Sequence, residues 1–496
     1  IFMKQIWYRK TRMVLMASLL FLLASCIDGF HDDETFSSGV TNTQLESPDA
    51  TKVKITSQVN SQGVDEFKIQ WPVIYGAGGY RFSLYIVDDP SNPQPVGVEN
   101  EIIDGCTVIR PQQEDTKYQI KITTLGNDKY NNKDAVNTME FVFSTLVPSV
   151  ATIPSNTELS AWFAAHPISP SSVEQAYELE PNGVYTLDGK LDFGLNWITF
   201  RGDKVHHPKI TYGENGRIIT QSGLKIKFID FDCSNVPSTS ANGSLLLLSD
   251  TPDASILRTA SDVSSFPALI DKDIVIKSCN IMGINKYLLF SNNSTKGYTI
   301  KNLRIQNCII ASNSITNVIA LPQGYINDLT LIQNTIYSLV NSSTQFISYN
   351  NSGRPTRGGY VAGTIALYNN TLYNITNSGN FANYPGMSNT TVTVKLRQNL
   401  FVDCSNRNVV RRLCPNGNTT CPREFSNNAY WWNPDGFAVG DEMDGSAGDK
   451  SGTGFYENPN FVGPINNPDP AKVNFTPSGI NVLSKKVGDP RWLSVQ

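Results

Sequence analysis

The sequence predicts an all-β chain in which a small antiparallel sandwich precedes a parallel β-helix, a solenoid of stacked coils. Two patterns support this prediction. Residues 48–146 contain short runs of alternating apolar and polar residues, which is the pattern of half-buried strands. Most of the remaining chain repeats one motif at intervals of roughly 30 residues, which is typical of stacked supersecondary units.

Residues 1–25 have the form of an export signal. Four basic residues precede an apolar run, Val14 to Leu23, that is too short to span a bilayer. The run ends in Leu23-Ala24-Ser25-Cys26, which resembles a lipobox, so Cys26 is the predicted lipidation site. An uncleaved N-terminal anchor is the alternative.

Residues 26–47 are expected to form a surface linker. Its Asp32-Asp33-Glu34 resembles the acidic export signal of Bacteroidetes surface lipoproteins. The resemblance implies a protein anchored by lipid to the outer membrane and exposed at the cell surface. A plain solvated linker would have a similar composition.

The charge of the chain argues against nucleic acid as a partner. Removing the four basic residues of the signal from the 40 Lys and Arg leaves 36, against 44 Asp and Glu, a net charge of −8. Seven cysteines remain besides Cys26, with neither the spacing of a zinc site nor that of a disulfide scaffold. A disulfide among Cys404, Cys414 and Cys421 stays open, with Cys414–Cys421 as the simplest pairing.

Residues 48–146 resemble a fibronectin type III domain. Trp71 and the strand pattern Tyr80-x-Phe82-x-Leu84 suit the core of such a sandwich, and Thr116-x-Tyr118 resembles its tyrosine corner. The resemblance implies a spacer module. A Pro/Ser-rich linker, 147–156, follows it.

Residues 157–493 are the predicted β-helix, with a helical cap at Thr157 to Ala165 and a C-terminal closing segment. The repeat is apolar-x-apolar-x-polar-(Cys/Asn)-x-apolar. Its Cys/Asn position recurs at Cys279, Cys308, Asn334, Asn370, Asn399 and Asn428. We expect the asparagines to stack in one buried turn, where Asn also tolerates a left-handed backbone, and the two cysteines to continue that stack. A leucine-rich repeat is the rival, but its spacing is shorter.

The C-terminal motifs strengthen a family resemblance. Asn458-Pro459-Asn460-Phe461 and Gly488-Asp489-Pro490-Arg491-Trp492 resemble the closing coils of bacterial β-helix proteins. Together with the repeats, they make the chain similar to Bacteroidetes surface lipoproteins with a pectate-lyase-like, right-handed parallel β-helix of uncharacterised function. The resemblance implies a role in glycan utilisation, with partner proteins of a glycan-uptake system.

Two enzyme classes use this fold, and the sequence favours neither. All four histidines lie at or before position 207, which argues against polygalacturonase-type hydrolysis. Arg354 and Arg357 faintly resemble the Arg-x-Pro-x-x-Arg segment of pectate lyases and are the candidate catalytic residues; an ordinary inserted loop is the alternative. No cofactor is expected apart from Ca²⁺, for which the acidic stretch offers Asp441, Glu442, Asp444 and Asp449, unless it is a solvated loop.

Outward positions on the repeat strands suggest a glycan-binding surface. In a stack their basic residues would form ladders that match the repeated carboxylates of an acidic, pectin-like polysaccharide, with aromatic residues stacking on sugar rings. Charge on strand surfaces also resists edge pairing, which is the alternative reading. The candidate binding residues are Lys225, Lys227, Lys277, Arg304, Tyr368, Lys395, Arg397, Trp431 and Trp432. We expect binding without cleavage, with a uronic-acid lyase or a structural or adhesive role as alternatives.

Overall fold

The structure is a computed structural model of the 496-residue chain and separates into two compact units, residues 1–146 and 147–496. No helix among the described residues is long and apolar enough to cross a membrane. The structure describes residues 39–62, 64–257, 268–291, 297–349, 363–384, 392–405, 409–414, 421–432, 441–444 and 448–493.

The first unit contains two antiparallel sheets around one core. One sheet has the order β1-β2-β6; the other has the order β4-β3-β7-β8, with β5 also paired to β3. The strands are β1 (Lys54–Val59), β2 (Asp65–Gln70), β3 (Gly79–Ile86), β4 (Gln94–Pro95), β5 (Glu101–Ile103), β6 (Thr107–Pro111), β7 (Lys117–Leu125) and β8 (Met139–Ser144).

Alternation places one face of each sheet in that core. Phe67 and Ile69 of β2 are buried against Phe82 of β3 and Ile120 of β7, while the residues between them are more exposed. Trp71 is also buried there, with its ring stacked on Phe82 at 5.8 Å between centroids. The two sheets therefore share a single apolar interior.

The second unit is a parallel β-solenoid. Its strands belong to three sheets, two of eleven strands and one of seven. In chain order the strands are β9 (Ser149–Ile153), β10 (Thr157–Glu158), β11 (Gln175–Leu179), β12 (Val184–Leu187), β13 (Lys190–Asp192), β14 (Ile198–Arg201), β15 (Lys209–Tyr212), β16 (Arg217–Thr220), β17 (Leu224–Lys227), β18 (Asp230–Asp232), β19 (Ser244–Leu248), β20 (Ala268–Ile270), β21 (Ile274–Lys277), β22 (Asn280–Ile284), β23 (Tyr287–Ser291), β24 (Tyr298–Gln306), β25 (Ile309–Ser312), β26 (Ile319–Leu321), β27 (Tyr325–Ile332), β28 (Thr335–Ser338), β29 (Ile347–Tyr349), β30 (Gly363–Tyr368), β31 (Thr371–Tyr373), β32 (Ala382–Asn383), β33 (Val392–Arg397), β34 (Leu400–Val402), β35 (Arg423–Ser426), β36 (Ala429–Trp431) and β37 (Phe455–Tyr456).

Among the described residues, seven coils, from β11-β12-β13 to β30-β31-β32, contribute one strand to each sheet in turn. Sheet 1 runs β9-β11-β14-β17-β21-β24-β27-β30-β33-β35, with β20 also paired to β24. Sheet 2 runs from β10 and β12 through β15, β18, β22, β25, β28, β31 and β34 to β36 and β37, and sheet 3 runs β13-β16-β19-β23-β26-β29-β32. About nine turns stack in this way, which confirms the predicted parallel solenoid.

The repeat motif places its two apolar residues inside sheet 1. Ile226, Ile276, Ile305 and Leu331 are register partners on successive strands, and all four are at most 1% exposed. By alternation, the residue between the apolar pair lies on the opposite side of each strand, although not all of these residues are exposed, as Val275 at 1% shows. Stacking like side chains above one another buries a continuous core that no single coil could form.

The predicted asparagine stack is present and its amides are fully paired. Asn334 donates to the Oδ1 of Asn370 (3.0 Å), Asn370 to that of Asn399 (2.9 Å), and Asn399 to that of Asn428 (3.0 Å). Each of these four amides also donates to a strand carbonyl at 2.8–2.9 Å, as from Asn370 to Leu331. All four are 0% exposed. We call this row the amide ladder.

The two cysteines continue the ladder towards the N-terminus. The backbone N–H of Cys308 donates to Oδ1 of Asn334 (2.9 Å), and its thiol donates to the carbonyl of Ile276 (3.5 Å), the bond that an amide would make there. The left-handed residue, however, is the one before the ladder position. Ser278, Asn307, Gln333, Asn369, Gln398 and Asn427 have φ between 51° and 56°. The expectation that the ladder asparagine itself is left-handed was therefore wrong by one residue, because the chain turns before the amide enters the core.

Short helices close the two ends of the solenoid core. Helix α1 (Leu159–Ala165) buries Leu159 and Phe163 against the first coil, and Glu158 caps it by accepting from the N–H of Ala161 at 2.6 Å. Near the other end, α2 (Val409–Leu413) packs on β32. The remaining helices are α3 (Asp441–Asp444) and α4 (Ile480–Ser484).

The closing segment, residues 457–493, lies on the outer face of sheet 2. Phe475 and Val473 pack on Ile309 and Tyr337, and Val482 and Val487 pack on Leu400. Near its end, Asp489 is 1% exposed and accepts from the hydroxyl of Thr335 at 2.8 Å. This segment therefore covers several coils at once.

Candidate functional site

The outer face of sheet 1 carries most of the predicted binding residues. Register pairing aligns its outward side chains in two columns that run along the solenoid. The first column is Thr199, Lys225, Val275, Arg304, Thr330, Ala366, Lys395 and Glu424; the second is Arg201, Lys227, Lys277, Gln306, Ile332, Tyr368, Arg397 and Ser426. We refer to this surface as the sheet 1 face.

The columns are not continuous ladders of positive charge. Val275, Thr330 and Ala366 separate Lys225, Arg304 and Lys395 in the first column. The expectation of basic ladders is corrected accordingly: the cations occur in separate groups, because the repeat specifies the inward residues and leaves the outward ones free to vary.

Acidic residues neutralise the cations at both ends of the face. Lys225 Nζ lies 2.8 Å from Glu174, and Glu424 lies 3.0 Å from Lys395 and 2.9 Å from Arg397. The hydrogen bond from Lys395, together with the charge of Arg397, lowers the pKa of the Glu424 carboxyl. These three cations are therefore already paired within the protein.

Lys227 does not face solvent. The residue is 3% exposed, as is Arg201, its register neighbour in the same column. Arg201 donates to the carbonyl of Val147 at 2.7 Å and pairs with Glu178 at 3.3 Å, although sequence reasoning did not single it out. Lys227 is thus removed from the set of residues that could meet an external polymer.

The middle of the sheet 1 face, on β24 to β33, has a different character. Arg304 is half-buried and has no carboxylate within ion-pair distance among the described residues. Tyr368 lies two strands away in the other column, and the guanidinium of Arg397 is 5.6 Å from its ring centroid. Thr330 and Ile332 of β27 lie between these larger groups. An aromatic ring and a cation without an ion-pair partner among the described residues thus lie on either side of one strand.

Two tryptophans predicted for the site lie elsewhere. Trp431 belongs to β36 of sheet 2, where it is half-buried beside Val482 and Val487 of the closing segment. Trp432 is 8% exposed and donates from its indole to the carbonyl of Cys404 at 3.0 Å. Packing of the C-terminal region accounts for both, so neither belongs to the sheet 1 face.

A third tryptophan, which sequence reasoning missed, lies beside the face. The ammonium groups of Lys225 and Lys272 are 5.1 and 5.3 Å from the ring centroid of Trp197. Trp197 immediately precedes β14, outside the repeat motif. Only the stacking of coils brings residues 197, 225 and 272 together, so no local pattern could have identified the group.

The acidic stretch supplies structural contacts. Glu442 accepts from the backbone N–H groups of Val409 and Val410, the latter at 3.1 Å, at the start of α2. Asp449 accepts from the hydroxyl of Tyr430 at 2.9 Å and from the last amide of the ladder, Asn428, at 3.5 Å. Both carboxylates are at most 3% exposed. The part of the chain that the structure describes holds no group of three or more potential metal ligands.

Several predicted residues lie outside the described residues: Cys26, Arg354 and Arg357, together with the side chains of Asp441 and Asp444. By sequence, residues 350–362 join β29 to β30, so Arg354 and Arg357 precede the strand that carries Tyr368.

Comparison with known proteins identifies two domain families and two solved structures. Residues 3–190 match the model of a domain of unknown function, DUF4992, and residues 183–339 match that of another domain of unknown function, DUF4957. No curated protein matches the chain.

Both solved structures are pectate lyases. One, Pel3 from Pectobacterium carotovorum, shares 10% identity over 82% of this chain and 100% of that chain, with a TM-score of 0.19. The other, PelI from Erwinia chrysanthemi, shares 9% identity over 82% and 99%, with a TM-score of 0.16. The assignment of the solenoid rests on the strand topology of this chain.

Proposed function

We propose that the solenoid binds an acidic polysaccharide on the middle of the sheet 1 face. The observation that supports this most directly is Arg304, a half-buried guanidinium without a carboxylate partner among the described residues, two strands from the outward ring of Tyr368. A guanidinium recognises a carboxylate through paired hydrogen bonds, and an aromatic face supports the apolar side of a sugar ring.

The spacing of the face suits a polymer better than a single sugar. Adjacent strands lie about 4.8 Å apart, so the strands of Arg304 and Tyr368 are about 10 Å apart. Thr330 and Ile332, on the intervening strand β27, lie between these two groups. A chain lying along the solenoid axis could contact both, and would gain affinity from simultaneous contacts.

The test compares wild type with Arg304→Ala and Tyr368→Ala by calorimetric titration with uronic-acid oligosaccharides of graded length. We expect Arg304→Ala to bind long chains on the order of tenfold more weakly, since a charged hydrogen bond contributes about 1.5–3 kcal/mol and about 1.4 kcal/mol is tenfold. Tyr368→Ala should also weaken binding, because it removes the ring on which a sugar would stack. Affinity should also fall with added salt. Lys190→Ala is the matched control, because Lys190 is an exposed lysine on β13 of sheet 3. Equal binding by all four proteins would refute the proposal.

The same titration distinguishes capture from cleavage. A lyase would generate unsaturated products that absorb in the ultraviolet, and Arg354 and Arg357 would then be the first residues to replace. Stable complexes without such products would support capture alone.

We further propose that the first unit is a fibronectin type III-like spacer. Its three-stranded and larger antiparallel sheets share one core, and the hydroxyl of Tyr118, near the start of β7, accepts from the backbone N–H of Gln113 at 2.9 Å. In a tyrosine corner the hydroxyl likewise bonds to the backbone a few residues earlier in the chain. Here Gln113 lies five residues before Tyr118.

An outer-membrane location with lipid on Cys26 completes the proposal. The Leu23-Ala24-Ser25-Cys26 sequence and the acidic residues after it support surface display, where external glycan is encountered. Cys26→Ala should release the protein from the membrane fraction after export. A variant that still sediments with outer membrane would contradict lipid anchoring.

A further inference from the structure

Two thiols meet near the C-terminal end of the solenoid. Cys414 directly follows α2, and its N–H donates to the carbonyl of Val410 at 3.2 Å. Cys421 lies two residues before β35, which pairs with β33. The two residues are 0% and 3% exposed, belong to the same core cluster, and have hydrogen-bonded side chains. The fold thus brings two free thiols within hydrogen-bonding reach of each other although six residues separate the cysteines.

Arg423 gives this pair an electropositive neighbour. The hydrogen bond from Cys414, together with the guanidinium of Arg423, lowers the pKa of the Cys421 thiol. A thiolate is the nucleophile in disulfide exchange, so Cys421 is the member of the pair suited to react first.

One other pair of described thiols is comparable, because, although burial opposes them, hydrogen bonds from Cys279 and the charge of Arg491 lower the pKa of the Cys308 thiol. Cys279 and Cys308 are also within hydrogen-bonding reach of each other, but their thiols donate to the backbone carbonyls of Lys277 (3.3 Å) and Gln306 (3.2 Å) within the ladder. These two cysteines are 29 residues apart, so joining them in an unfolded chain costs more entropy than joining residues 414 and 421. The thiol of Cys404 donates to the carbonyl of Leu372 at 3.3 Å.

We propose that Cys414 and Cys421 form a disulfide in the mature protein, by exchange with a disulfide-bonded oxidant. The Cys421 thiolate attacks one sulfur of the oxidant, forming a mixed disulfide and expelling a thiolate. The thiol of Cys414 then loses its proton, attacks the sulfur of Cys421 and expels the second oxidant thiolate. The chain loses two electrons and two protons, and the oxidant becomes a dithiol.

This bond would tie α2 to the strand that follows it. Without it, α2 is held by apolar packing on β32 and by the cap from Glu442. The disulfide would cross-link α2 to β35 in addition to the backbone between them, and it is independent of any glycan bound on the sheet 1 face.

The test equilibrates the full-length chain with oxidised glutathione, blocks residual thiols with N-ethylmaleimide under denaturing conditions, and maps peptides by mass spectrometry. We expect one cross-linked peptide joining residues 414 and 421, with Cys279, Cys308 and Cys404 alkylated. Absence of that peptide, or a cross-link to another cysteine, would overturn the proposal. Because the assay reads wild-type protein, it does not depend on a variant that folds.

A rate measurement tests the part assigned to Arg423. Arg423→Gln should slow formation of the cross-link at neutral pH severalfold, and Arg423→Lys should restore most of the rate. Equal rates in all three proteins would remove Arg423 from the proposal.

As a stability check, oxidation should raise the midpoint of thermal unfolding of wild type but not of the Cys414→Ser, Cys421→Ser double variant. No shift in wild type would contradict the proposed tie between α2 and β35.

Discussion

Asn370, at the scale of a single residue, shows what one buried amide contributes. Its Oδ1 accepts from the side chain of Asn334, and its Nδ2 donates to Oδ1 of Asn399 and to the carbonyl of Leu331. Asn370→Leu would leave these groups unpaired in the core, and we expect a loss of roughly 1–3 kcal/mol in the free energy of unfolding. Chemical denaturation measures this loss. Asn215→Leu, at an exposed turn, should change stability by less than about 0.5 kcal/mol, and equal midpoints for both variants would contradict the account.

Glu158, the cap of α1, gives a pH-dependent prediction. Burial alone would raise the pKa of its carboxyl, but the hydrogen bonds from Ala161, Ser160 and Asp188 outweigh burial and lower it. A carboxyl whose folded-state pKa is depressed stabilises the fold above its unfolded pKa, and loses that contribution as pH falls. Glu158→Gln should therefore cost about 1 kcal/mol at pH 7 and less near pH 3.

Unfolding free energies at the two pH values test this, with Glu214→Gln as the control, because Glu214 is exposed and caps no helix. A difference between wild type and Glu158→Gln that stays constant with pH would show that the carboxylate charge is not what matters.

At the scale of an element, the closing segment depends on a few polar contacts with sheet 2. Thr335 donates to Asp489 and accepts from the indole of Trp492 at 2.7 Å. Thr335→Val keeps the shape but removes both bonds, so the midpoint of denaturation should fall by an amount equivalent to about 1–3 kcal/mol. Thr330→Val, an outward position on the neighbouring sheet 1, is the matched control. If both variants unfold alike, the segment is held by apolar packing alone.

Elements with a repeating pattern are the ones that the sequence predicts well. The ladder asparagine recurs in four consecutive coils and the inward apolar pair in more of them, so their positions follow from alignment of the repeats. Glu174 and Glu424 do not recur, and they meet Lys225 and Lys395 only after the coils stack. The alternation of residues along β17 predicts an outward side chain for Lys227, but the residue is buried. Its burial depends on tertiary packing, which the alternation of apolar and polar residues does not encode.

At the scale of the whole molecule, each compact unit has its own core. The main core cluster of the solenoid contains Leu159, Phe200 and Leu331 but no residue of the first unit. Residues 147–496 expressed alone should therefore fold. Circular dichroism with thermal denaturation would show β-structure and a cooperative transition. An unfolded or aggregated product would mean that the solenoid requires residues 1–146.

The candidate site is less predictable from the sequence than the fold. Arg304, Tyr368 and Arg397 do lie on the same sheet 1 face, with Arg397 against the ring of Tyr368, whereas Trp431 and Trp432 lie with the C-terminal packing. The motif assigns each strand residue to the inside or the outside of the solenoid, but it does not predict what covers the outside. Trp431 lies on sheet 2, whose outer face is covered by the closing segment. The handedness of the solenoid stays a prediction.

The amide ladder has a direction, and this limits how the protein can grow by duplication. Within the ladder, each amide donates to the next asparagine towards the C-terminus, and the last, Asn428, donates to the carboxylate of Asp449. An extra coil of 29 residues copied between Asn370 and Asn428 would supply one donor and one acceptor and leave none unmatched. A copied coil with cysteine at the ladder position would interrupt the row of amides, because cysteine has no amide to donate to the next asparagine. A coil can thus be duplicated between Asn370 and Asn428 without leaving a buried amide unpaired. The number of coils there is free to follow the length of the polymer that the solenoid binds.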